Sequence, residues 1–447
     1  MKKRVILEGL LIIIGILLMG CGKNNKAEMS YEEENETISK DAADKKVITI
    51  ATGYVSEELE QNINKFNTSN DRYEIQTQEF DTARLQADII AGRGPDLIGA
   101  GLINIDEYAS KGLLADLYPY LDKSENISRD DIVENVLKLN TINDQLLSLP
   151  PSFSINTIGG KRSELGDDIG WTFDEFMEYV NNHYGAEIFE GRTFGTSGID
   201  VVEMNWKSQP GKYVDWENSK ASFQSEEFLS ILNFANQYES KYENDKAPTS
   251  QKLKDGKILL FNKPIYNVME YLFYNSMAGE ELTFIGYPTS DGSPDYGLYN
   301  NEGFVVNQNS QVKEGAWEFI EYLFLHPNSL SRQVKYFPSN KASLEAMFQE
   351  AMEKDYQYDA NGNAIEIPKL YKGDAPSVKV EIYAAAQKDV DNIRYLIDNA
   401  TFIQRGPTAV DNILYEEVTQ MLDGHHSPDT AAMNIQSRVQ LYLDEKE

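Results

Sequence analysis

From residue 47 onward, short apolar runs of β character alternate with segments of helical periodicity, and this alternation restricts the possible folds more than any other feature. Residues 47–51 form the first apolar run. Leu59, Ile63 and Phe66 then recur at helical spacing behind Ser56, a residue suited to an N-cap. Two more strands with a helix between them follow by residue 98. Strands separated by helices of this length predict βαβ units, a parallel-dominated sheet and an α/β fold.

The ends of these strands supply the first candidate ligand residues. In open α/β sheets, ligands bind beyond the carboxyl ends of the strands. Tyr54 follows the first strand and Asp81 follows the second. An aromatic ring and a carboxylate at this edge are suited to binding a polar small molecule.

The rest of the chain gives weaker but usable signals. The capping box Thr172–Glu175 predicts the start of a helix. Residues 255–307 have β character, and a helix is predicted over 312–325. From residue 341 to the end the periodicity predicts helices, with a hairpin turn at Asn361–Gly362.

Composition excludes several classes of protein. The chain has 447 residues, which predicts two or three domains. Its formal net charge of −31 argues against nucleic-acid binding, which depends on basic residues that neutralise phosphates. The single cysteine excludes an intramolecular disulfide framework and a zinc site built from several thiolates.

That one cysteine, Cys21, follows a basic start and an apolar run that is too short to span a membrane comfortably. The sequence Leu-Met-Gly-Cys that ends at Cys21 resembles the bacterial lipobox. The resemblance implies a signal peptide over 1–20 and a lipid on Cys21; the alternative is a plain signal peptide with an incidental cysteine. Residues 21–46 are too polar to collapse and are predicted to form a flexible tether.

Several segments in order along the body resemble the extracellular solute-binding proteins of bacterial ABC importers, in particular the carbohydrate-type branch. The chain departs from the family pattern at Gln224, where an aspartate is common. The segments that carry the resemblance are Phe66-Asn67, Ala91–Ile98, Gly112–Leu117, Gly170–Phe176, Ala221–Ser225, Ala316–Ile320, Phe337–Lys341 and Leu422–Gly424.

The resemblance implies a two-lobed periplasmic-binding-protein-like fold that closes on a ligand. Each lobe is expected to be a parallel-dominated sheet flanked by helices, with 47–150 and 303–338 in lobe 1 and 151–302 and 339–447 in lobe 2. Two or three segments should cross between the lobes. The segment 148–153, stiffened by two prolines, is the first expected crossing, and 301–305 and 336–339 are the others.

The function implied is that of a substrate-binding component, not an enzyme, which captures a sugar or oligosaccharide and delivers it to permease subunits. We expect a monomer, anchored by lipid on the outer face of the cell membrane, without cofactor, metal or nucleic-acid partner. Candidate ligand residues lie at strand ends, at crossings and in turn-rich stretches: Tyr54, Asp81, Phe153, Ser154, Trp206, Trp216, Tyr266, Tyr271 and Glu302.

Two other readings remain open at this stage. A lipid-anchored glycoside hydrolase would have a similar composition, although the many carboxylates make chance acidic pairs uninformative. The same fold could instead bind a peptide or another solute, or serve as the receptor of a sensor. The sequence does not decide which sugar, chain length or linkage would be bound.

Overall fold

The computed structural model describes residues 45–445 apart from 79, 81, 184–188, 191–197, 239–246, 328–334, 375–377 and 405–407. The expected signal peptide, Cys21, nearly all of the tether, and Asp81 therefore lie outside the described residues. Among the described residues, no helix combines the length and apolarity needed to span a bilayer.

Helices and strands alternate through much of the described chain. The helices are α1 (Glu57–Ser69), α2 (Thr82–Ile90), α3 (Ile105–Ser110), α4 (Tyr118–Leu121), α5 (Glu134–Leu139), α6 (Arg162–Leu165), α7 (Phe173–Asn182), α8 (Gly198–Ser208), α9 (Pro210–Tyr213), α10 (Glu226–Ala235), α11 (Thr249–Lys254), α12 (Val268–Ala278), α13 (Lys313–Leu325), α14 (Lys341–Met352), α15 (Gln387–Asp398), α16 (Ala409–Leu422) and α17 (Pro428–Asp444).

The strands are β1 (Lys46–Ala51), β2 (Tyr73–Thr77), β3 (Leu97–Gly99), β4 (Thr141–Ile142), β5 (Gln145–Leu146), β6 (Ser152–Asn156), β7 (Ile158–Lys161), β8 (Phe189–Glu190), β9 (Val214–Asp215), β10 (Lys220–Ala221), β11 (Leu260–Asn262), β12 (Leu282–Phe284), β13 (Tyr296–Asn301), β14 (Phe304–Val306), β15 (Phe337–Pro338), β16 (Asp355–Tyr358), β17 (Ala364–Ile367), β18 (Lys369–Lys372), β19 (Lys379–Ile382) and β20 (Ala400–Ile403).

Three four-stranded sheets organise the body. Sheet 1 has the order β14-β3-β1-β2, sheet 2 the order β12-β7-β11-β8, and sheet 3 the order β15-β6-β13-β20. In sheet 1, β1 runs parallel to β2 and β3, which confirms the parallel pairing expected from the βαβ pattern. β14 joins this sheet antiparallel to β3. In sheet 2, β7 pairs antiparallel with both β11 and β12, and only β8 and β11 pair in parallel, so the expectation of a parallel-dominated sheet is wrong for this part of the chain.

Sheet 3 is joined directly to each of the other two sheets by the chain. β6 passes into β7 of sheet 2 with only Thr157 between them, and β13 passes into β14 of sheet 1 across Glu302 and Gly303. The chain therefore passes from one sheet into another within one or two residues. Such short connections are the kind of position where a hinge absorbs backbone rotation.

The local predictions succeed where a cap and a periodic face coincide. In α1, Ser56 accepts a hydrogen bond from the Leu59 amide, and Leu59, Ile63 and Phe66 form its buried face. The capping box at Thr172 begins α7, and α13 covers the helix predicted near 312–325. The turn at Asn361–Gly362 joins β16 to β17 as predicted.

Two predictions at the level of elements are wrong. The stretch 255–307 contains α12, whose aromatic residues imitate a strand because the helix is buried on most of its surface. The helical stretch predicted from residue 341 onward is interrupted not only by the predicted hairpin β16–β17 but also by a second hairpin, β18–β19, that was not predicted. Their strands are largely exposed, so no core-facing periodicity marks them in the sequence.

Candidate ligand site

The three predicted crossing segments meet in sheet 3. β6 pairs antiparallel with β13 on one side and with β15 on the other. The Ser148 hydroxyl, just before β6, donates a hydrogen bond to the Phe304 carbonyl at 3.1 Å, which ties the first crossing to the second. The Ser339 amide donates to the Pro151 carbonyl at 3.0 Å, which ties the third crossing to the first.

Gly303 suits this close packing. A Cβ atom at that position would lie 3.2 Å from the Ser148 Oγ and 3.4 Å from the Pro150 Cβ. The Gly303 carbonyl also accepts a hydrogen bond of 2.8 Å from the Ala100 amide, in the loop after β3. The second crossing is therefore pressed against the loop at the carboxyl end of a sheet 1 strand, where ligands bind in such sheets.

Register divides sheet 3 into two unlike faces. Side chains alternate along a strand, and paired residues of neighbouring strands share a face. Ser154 pairs with Tyr299 and Phe153 pairs with both Asn300 and Phe337. We call the first the polar face, formed by Ser152, Ser154, Asn156, Tyr299 and Asn301, and the second the apolar face, formed by Phe153, Ile155, Leu298 and Phe337. Asn300 also lies on the second face, at its end, where its amide donates a hydrogen bond of 2.7 Å to the Asn140 side chain.

The polar face contains buried groups whose hydrogen-bonding capacity is not met. Ser154 is fully buried, yet its hydroxyl has no hydrogen-bonding partner within the described residues; the same holds for the Asn301 amide nitrogen. Asn156 differs, because its amide donates to the Gln404 side chain at 2.9 Å. Buried polar groups are nearly always paired, so unpaired ones mark positions where an incoming hydroxyl would gain hydrogen bonds.

Glu302 lies at the end of this face, in the short connection between β13 and β14. Its backbone has φ of 52°, the left-handed region that non-glycine residues seldom adopt and that is often found at functional sites. The Ser56 hydroxyl donates a hydrogen bond of 2.6 Å to its Oε1 atom. Burial raises the pKa of Glu302, the Ser56 hydrogen bond opposes this rise, and Glu58 adds to it.

Three tyrosines lie in the neighbourhood of Glu302, linked to it through Tyr336. Tyr299 precedes it on the polar face, and Tyr336 lies close enough that Glu302 and Glu58 contribute to its raised pKa, after the larger effect of burial. The Tyr266 and Tyr336 rings meet edge to face with centroids 5.5 Å apart. The Tyr266 carbonyl accepts a hydrogen bond from the Phe337 amide, which fixes the Tyr266 backbone beside β15.

We call Ser56, Tyr266, Tyr299, Glu302 and Tyr336 the Glu302 cluster. Tyr54, two residues before Ser56, is 78% exposed, so its ring is open to solvent beside the cluster. The arrangement presents aromatic faces, one carboxylate and several hydroxyls around the end of the polar face. Such a set suits a polar, uncharged or weakly charged molecule with apolar patches.

Four of the candidate ligand residues lie elsewhere. Phe153 and Tyr271 are fully buried, the first stacked on Phe337 and the second hydrogen-bonded from the Asn392 amide. Trp206 lies on α8 in the core, where its indole donates to Asp411 at 3.0 Å, instead of in the predicted loop. Trp216 packs against the core of sheet 2.

Phe153, Tyr271 and Trp206 are core residues and Trp216 is partly buried against the core, because packing, not chain position, decides the direction of a side chain. Trp206 does border a cavity of about 190 Å³ between α8 and α16. That volume is below the roughly 300–1,000 Å³ of typical small-molecule pockets. The polar face of sheet 3 remains the stronger candidate site.

Sequence reasoning missed four members of the site: Ser56, Tyr299, Asn301 and Tyr336. Two of them, Tyr299 and Asn301, alternate along the end of β13, so the β periodicity of that crossing could have indicated that these two side chains share a face. Ser56 was assigned only as a helix cap. It performs that role, but its hydroxyl also donates to Glu302.

The described residues contain no group of three or more His, Cys, Asp or Glu side chains arranged to hold a metal ion. The site's chemistry therefore rests on hydroxyls, amides, rings and one carboxylate.

Comparison with known proteins decides the family. The family model for bacterial extracellular solute-binding proteins matches residues 61–360, about two thirds of the chain. The chain belongs to the bacterial extracellular solute-binding protein family. Membership places the protein on the outer side of the cytoplasmic membrane. None of the curated protein sequences matches the chain.

Solved structures of this kind share the fold at low sequence identity. The sugar-binding protein MalE of Xanthomonas citri aligns with a TM-score of 0.57 and 14% identity, covering 90% of this chain and 98% of its own. A solute-binding protein of Agrobacterium radiobacter in complex with ribitol aligns with a TM-score of 0.55 and 15% identity, covering 89% of this chain and 98% of its own. A substrate-binding protein of Listeria monocytogenes in complex with cycloalternan aligns with a TM-score of 0.53 and 13% identity, covering 90% of this chain and 100% of its own. The chain therefore has the two-lobed α/β fold of periplasmic binding proteins.

Proposed function

We propose that this protein captures an extracellular sugar or oligosaccharide between its two lobes and delivers it to the permease of an ABC importer. The observation that carries the proposal is the polar face of sheet 3, where buried Ser154 and Asn301 groups lack partners. A sugar hydroxyl both donates and accepts, so it can pair with either group.

The ring chemistry of the Glu302 cluster supports a sugar over an apolar ligand. Aromatic faces cover the C–H surfaces of a pyranose, while a carboxylate accepts hydrogen bonds from its hydroxyls. Hydrogen bonds to a charged acceptor contribute roughly 1.5–3 kcal/mol each, so a few of them determine specificity. Proteins of the same fold are described in complex with tagatose, ribitol and cycloalternan, which are all polyhydroxylated molecules.

Lobe closure follows from the chain path. We assign 47–150 and 303–338 to lobe 1 and 151–302 and 339–447 to lobe 2, with rotation at Thr157 and at Glu302–Gly303. A ligand that touches both lobes only in the closed form shifts the population towards that form. Its affinity difference between the two forms sets the size of the shift. The permease would then recognise the closed form.

The start of the chain supports attachment to the membrane. Cleavage before Cys21 would remove three basic residues and one acidic residue, changing the net charge from −31 to −33. A lipid on Cys21 would hold this acidic body near an anionic membrane, because each buried methylene contributes about 0.8 kcal/mol. The 25-residue segment 22–46 spans about 25–30 Å as a flexible coil, enough for the body to reach a permease.

A thermal-shift screen tests the proposal. The chain from Gly22 onward is heated with mono- and oligosaccharides, with peptides as a comparison set. Ligand at a hundredfold excess over Kd stabilises the folded state by about 2.7 kcal/mol. We expect a higher Tm with at least one sugar, and a smaller radius of gyration by X-ray scattering with that sugar.

Two results would contradict the proposal. Stabilisation by peptides with no response to any sugar would point to a different solute. New reducing ends after incubation with a bound glycan would indicate a hydrolase, since we propose a monomeric binding protein without catalytic activity.

A further inference from the structure

The charge of the Glu302 cluster bears on the class of sugar. Glu302 is largely shielded from water, and its one hydrogen-bond donor among the described residues, Ser56, is neutral. No described Lys or Arg forms an ion pair with it. The Oε2 atom has no hydrogen-bonding partner in the described part of the chain. A shielded carboxylate in this state gains most from a cationic group brought by the ligand.

Among the described residues, the charged group that acts on Glu302 is negative. Glu58, in the first turn of α1, raises the pKa of Glu302. Glu270 lies behind Tyr266, whose amide donates to the Glu270 Oε2 at 2.9 Å. Together with Glu302, both carboxylates raise the pKa of Tyr336. An anionic ligand would therefore meet the Glu302 and Glu58 side chains at this end of the site, whereas burial raises the pKa of Glu270 to about 8 and keeps it largely neutral at pH 7.

The one positive feature nearby is already satisfied. The N-terminus of α1 carries a partial positive charge that would otherwise attract an anion. Ser56 caps this terminus through the Leu59 amide and at the same time donates to Glu302, which lies beside it. One amide of this terminus is therefore already capped, and the Glu302 carboxylate lies within hydrogen-bonding distance of the capping hydroxyl.

The tyrosines of the cluster also favour a cationic group on the ligand. Aromatic rings arranged around a carboxylate favour an ammonium group, because the ring faces attract a cation and the carboxylate pairs with it. Tyr54 is exposed at the edge of the cluster, and Tyr266 and Tyr336 pack edge to face within it. The unpartnered hydroxyl of fully buried Ser154 marks the adjoining polar face as part of the same ligand site.

We propose, on the basis of the function proposed above, that the site selects amino sugars over neutral sugars and rejects acidic sugars, with Glu302 setting that preference. A protonated amine at the Glu302 carboxylate replaces a hydroxyl and turns a neutral hydrogen bond into a charge-assisted one. The expected gain in affinity is about tenfold. A uronate or sugar phosphate would place like charges together and bind at least tenfold more weakly than the neutral sugar.

The test uses sugars that differ in one substituent. The chain from Gly22 onward is titrated by calorimetry with glucose, glucosamine and glucuronate, with the three galactose counterparts, and with β-1,4-linked trimers of the glucose series. We expect the amine to bind most tightly in the series that binds, and the acid not to bind measurably.

Glu302→Gln keeps the shape of the side chain and the Ser56 hydrogen bond but removes the charge. It should bring the affinities for the amine and the neutral sugar to within about twofold. Glu57→Gln makes the same change in net charge at an exposed position in the first turn of α1 and should retain the preference. Circular dichroism and Tm establish that each variant is folded.

Three outcomes would overturn the inference. Acidic sugars that bind as tightly as neutral ones would do so, as would an amine preference that survives in Glu302→Gln. Tight binding of neutral sugars without any preference for the amine would refute this inference and leave the proposed function standing. If none of the sugars tested binds, the result would contradict both this inference and the proposed function.

Discussion

The two faces of sheet 3 are built from the same strands, yet one is a core and the other a candidate binding surface. Phe153 and Ser154 are neighbours on β6 and both are fully buried. Phe153 stacks on Phe337 with ring centroids 5.8 Å apart, whereas the Ser154 hydroxyl has no partner in the described chain. Burial alone therefore does not distinguish a structural residue from a ligand residue. The state of its hydrogen bonds does.

The largest expected effect lies on the apolar face. Phe153→Ala removes a fully buried ring from between β13 and β15, and we expect a loss of about 3–5 kcal/mol in the free energy of unfolding. Urea denaturation of the chain from Gly22 onward measures it. Ser154→Ala, one residue along on the other face, is the matched control. Equal losses in both variants would contradict the division of the sheet into two unlike faces.

A second test uses the buried carboxyl group at the start of β13. Asp295, just before the strand, accepts a hydrogen bond from Thr401, and burial raises its pKa to about 7. The folded state therefore holds a proton that the unfolded state releases near pH 4. The stabilising contribution is complete below pH 4 and is lost as the pH rises through 7.

Asp295→Asn removes this titration. Between pH 4 and pH 7.5, unfolding experiments should show that the wild type loses about 2–4 kcal/mol more stability than the variant. Glu270, whose pKa burial raises to about 8, contributes equally to both proteins and so cancels in the comparison. Parallel pH profiles for the two proteins would be inconsistent with a protonated Asp295 in the folded state.

Ser56 and Ser225 allow the two roles of Ser56 to be separated. Both cap a helix, since Ser225 accepts a hydrogen bond from the Phe228 amide at 3.1 Å, but only Ser56 also donates to Glu302. Ser56→Ala and Ser225→Ala should each lower the free energy of unfolding by about 1 kcal/mol. Only Ser56→Ala should change sugar affinity, measured by calorimetry. A similar change in both variants would mean that Ser56 acts only as a cap.

The smallest effect on stability is expected for Ser154→Ala. Its hydroxyl has no partner to lose, so the free energy of unfolding should change by less than about 1 kcal/mol in either direction. Affinity for the cognate sugar should fall by about two- to tenfold if a ligand hydroxyl pairs with Ser154. Calorimetry with unchanged affinity would remove Ser154 from the site.

Sequence reasoning reached the fold because its evidence is local. Caps such as Ser56 and Thr172, together with periodic faces, fix the ends and sides of helices without reference to distant residues. The family resemblance added the crossings, and these do meet in sheet 3. α12 was missed because a helix buried on most sides loses the polar stripe by which helices are recognised.

The site was harder to predict because its members converge from distant parts of the chain. Tyr54, Ser154, Tyr266 and Glu302 were candidates from the sequence and remain so. Trp206 and Tyr271 were candidates because large aromatics attract attention, but packing directs both into the core. The pairing of Ser56 with Glu302 joins residues 246 positions apart, and no local pattern reports such a contact.

The left-handed backbone at Glu302 limits how this position can vary. At a φ of 52°, β-branched side chains such as Val, Ile and Thr are strongly disfavoured, whereas Gly, Asn and Asp are tolerated well. A mutant library that aims to alter ligand preference should therefore exclude β-branched residues at position 302. Substitution by Gln or Lys would change the charge of the side chain at position 302 without a β-branch. The variants that still bind a ligand would reveal which solutes the rest of the pocket accepts.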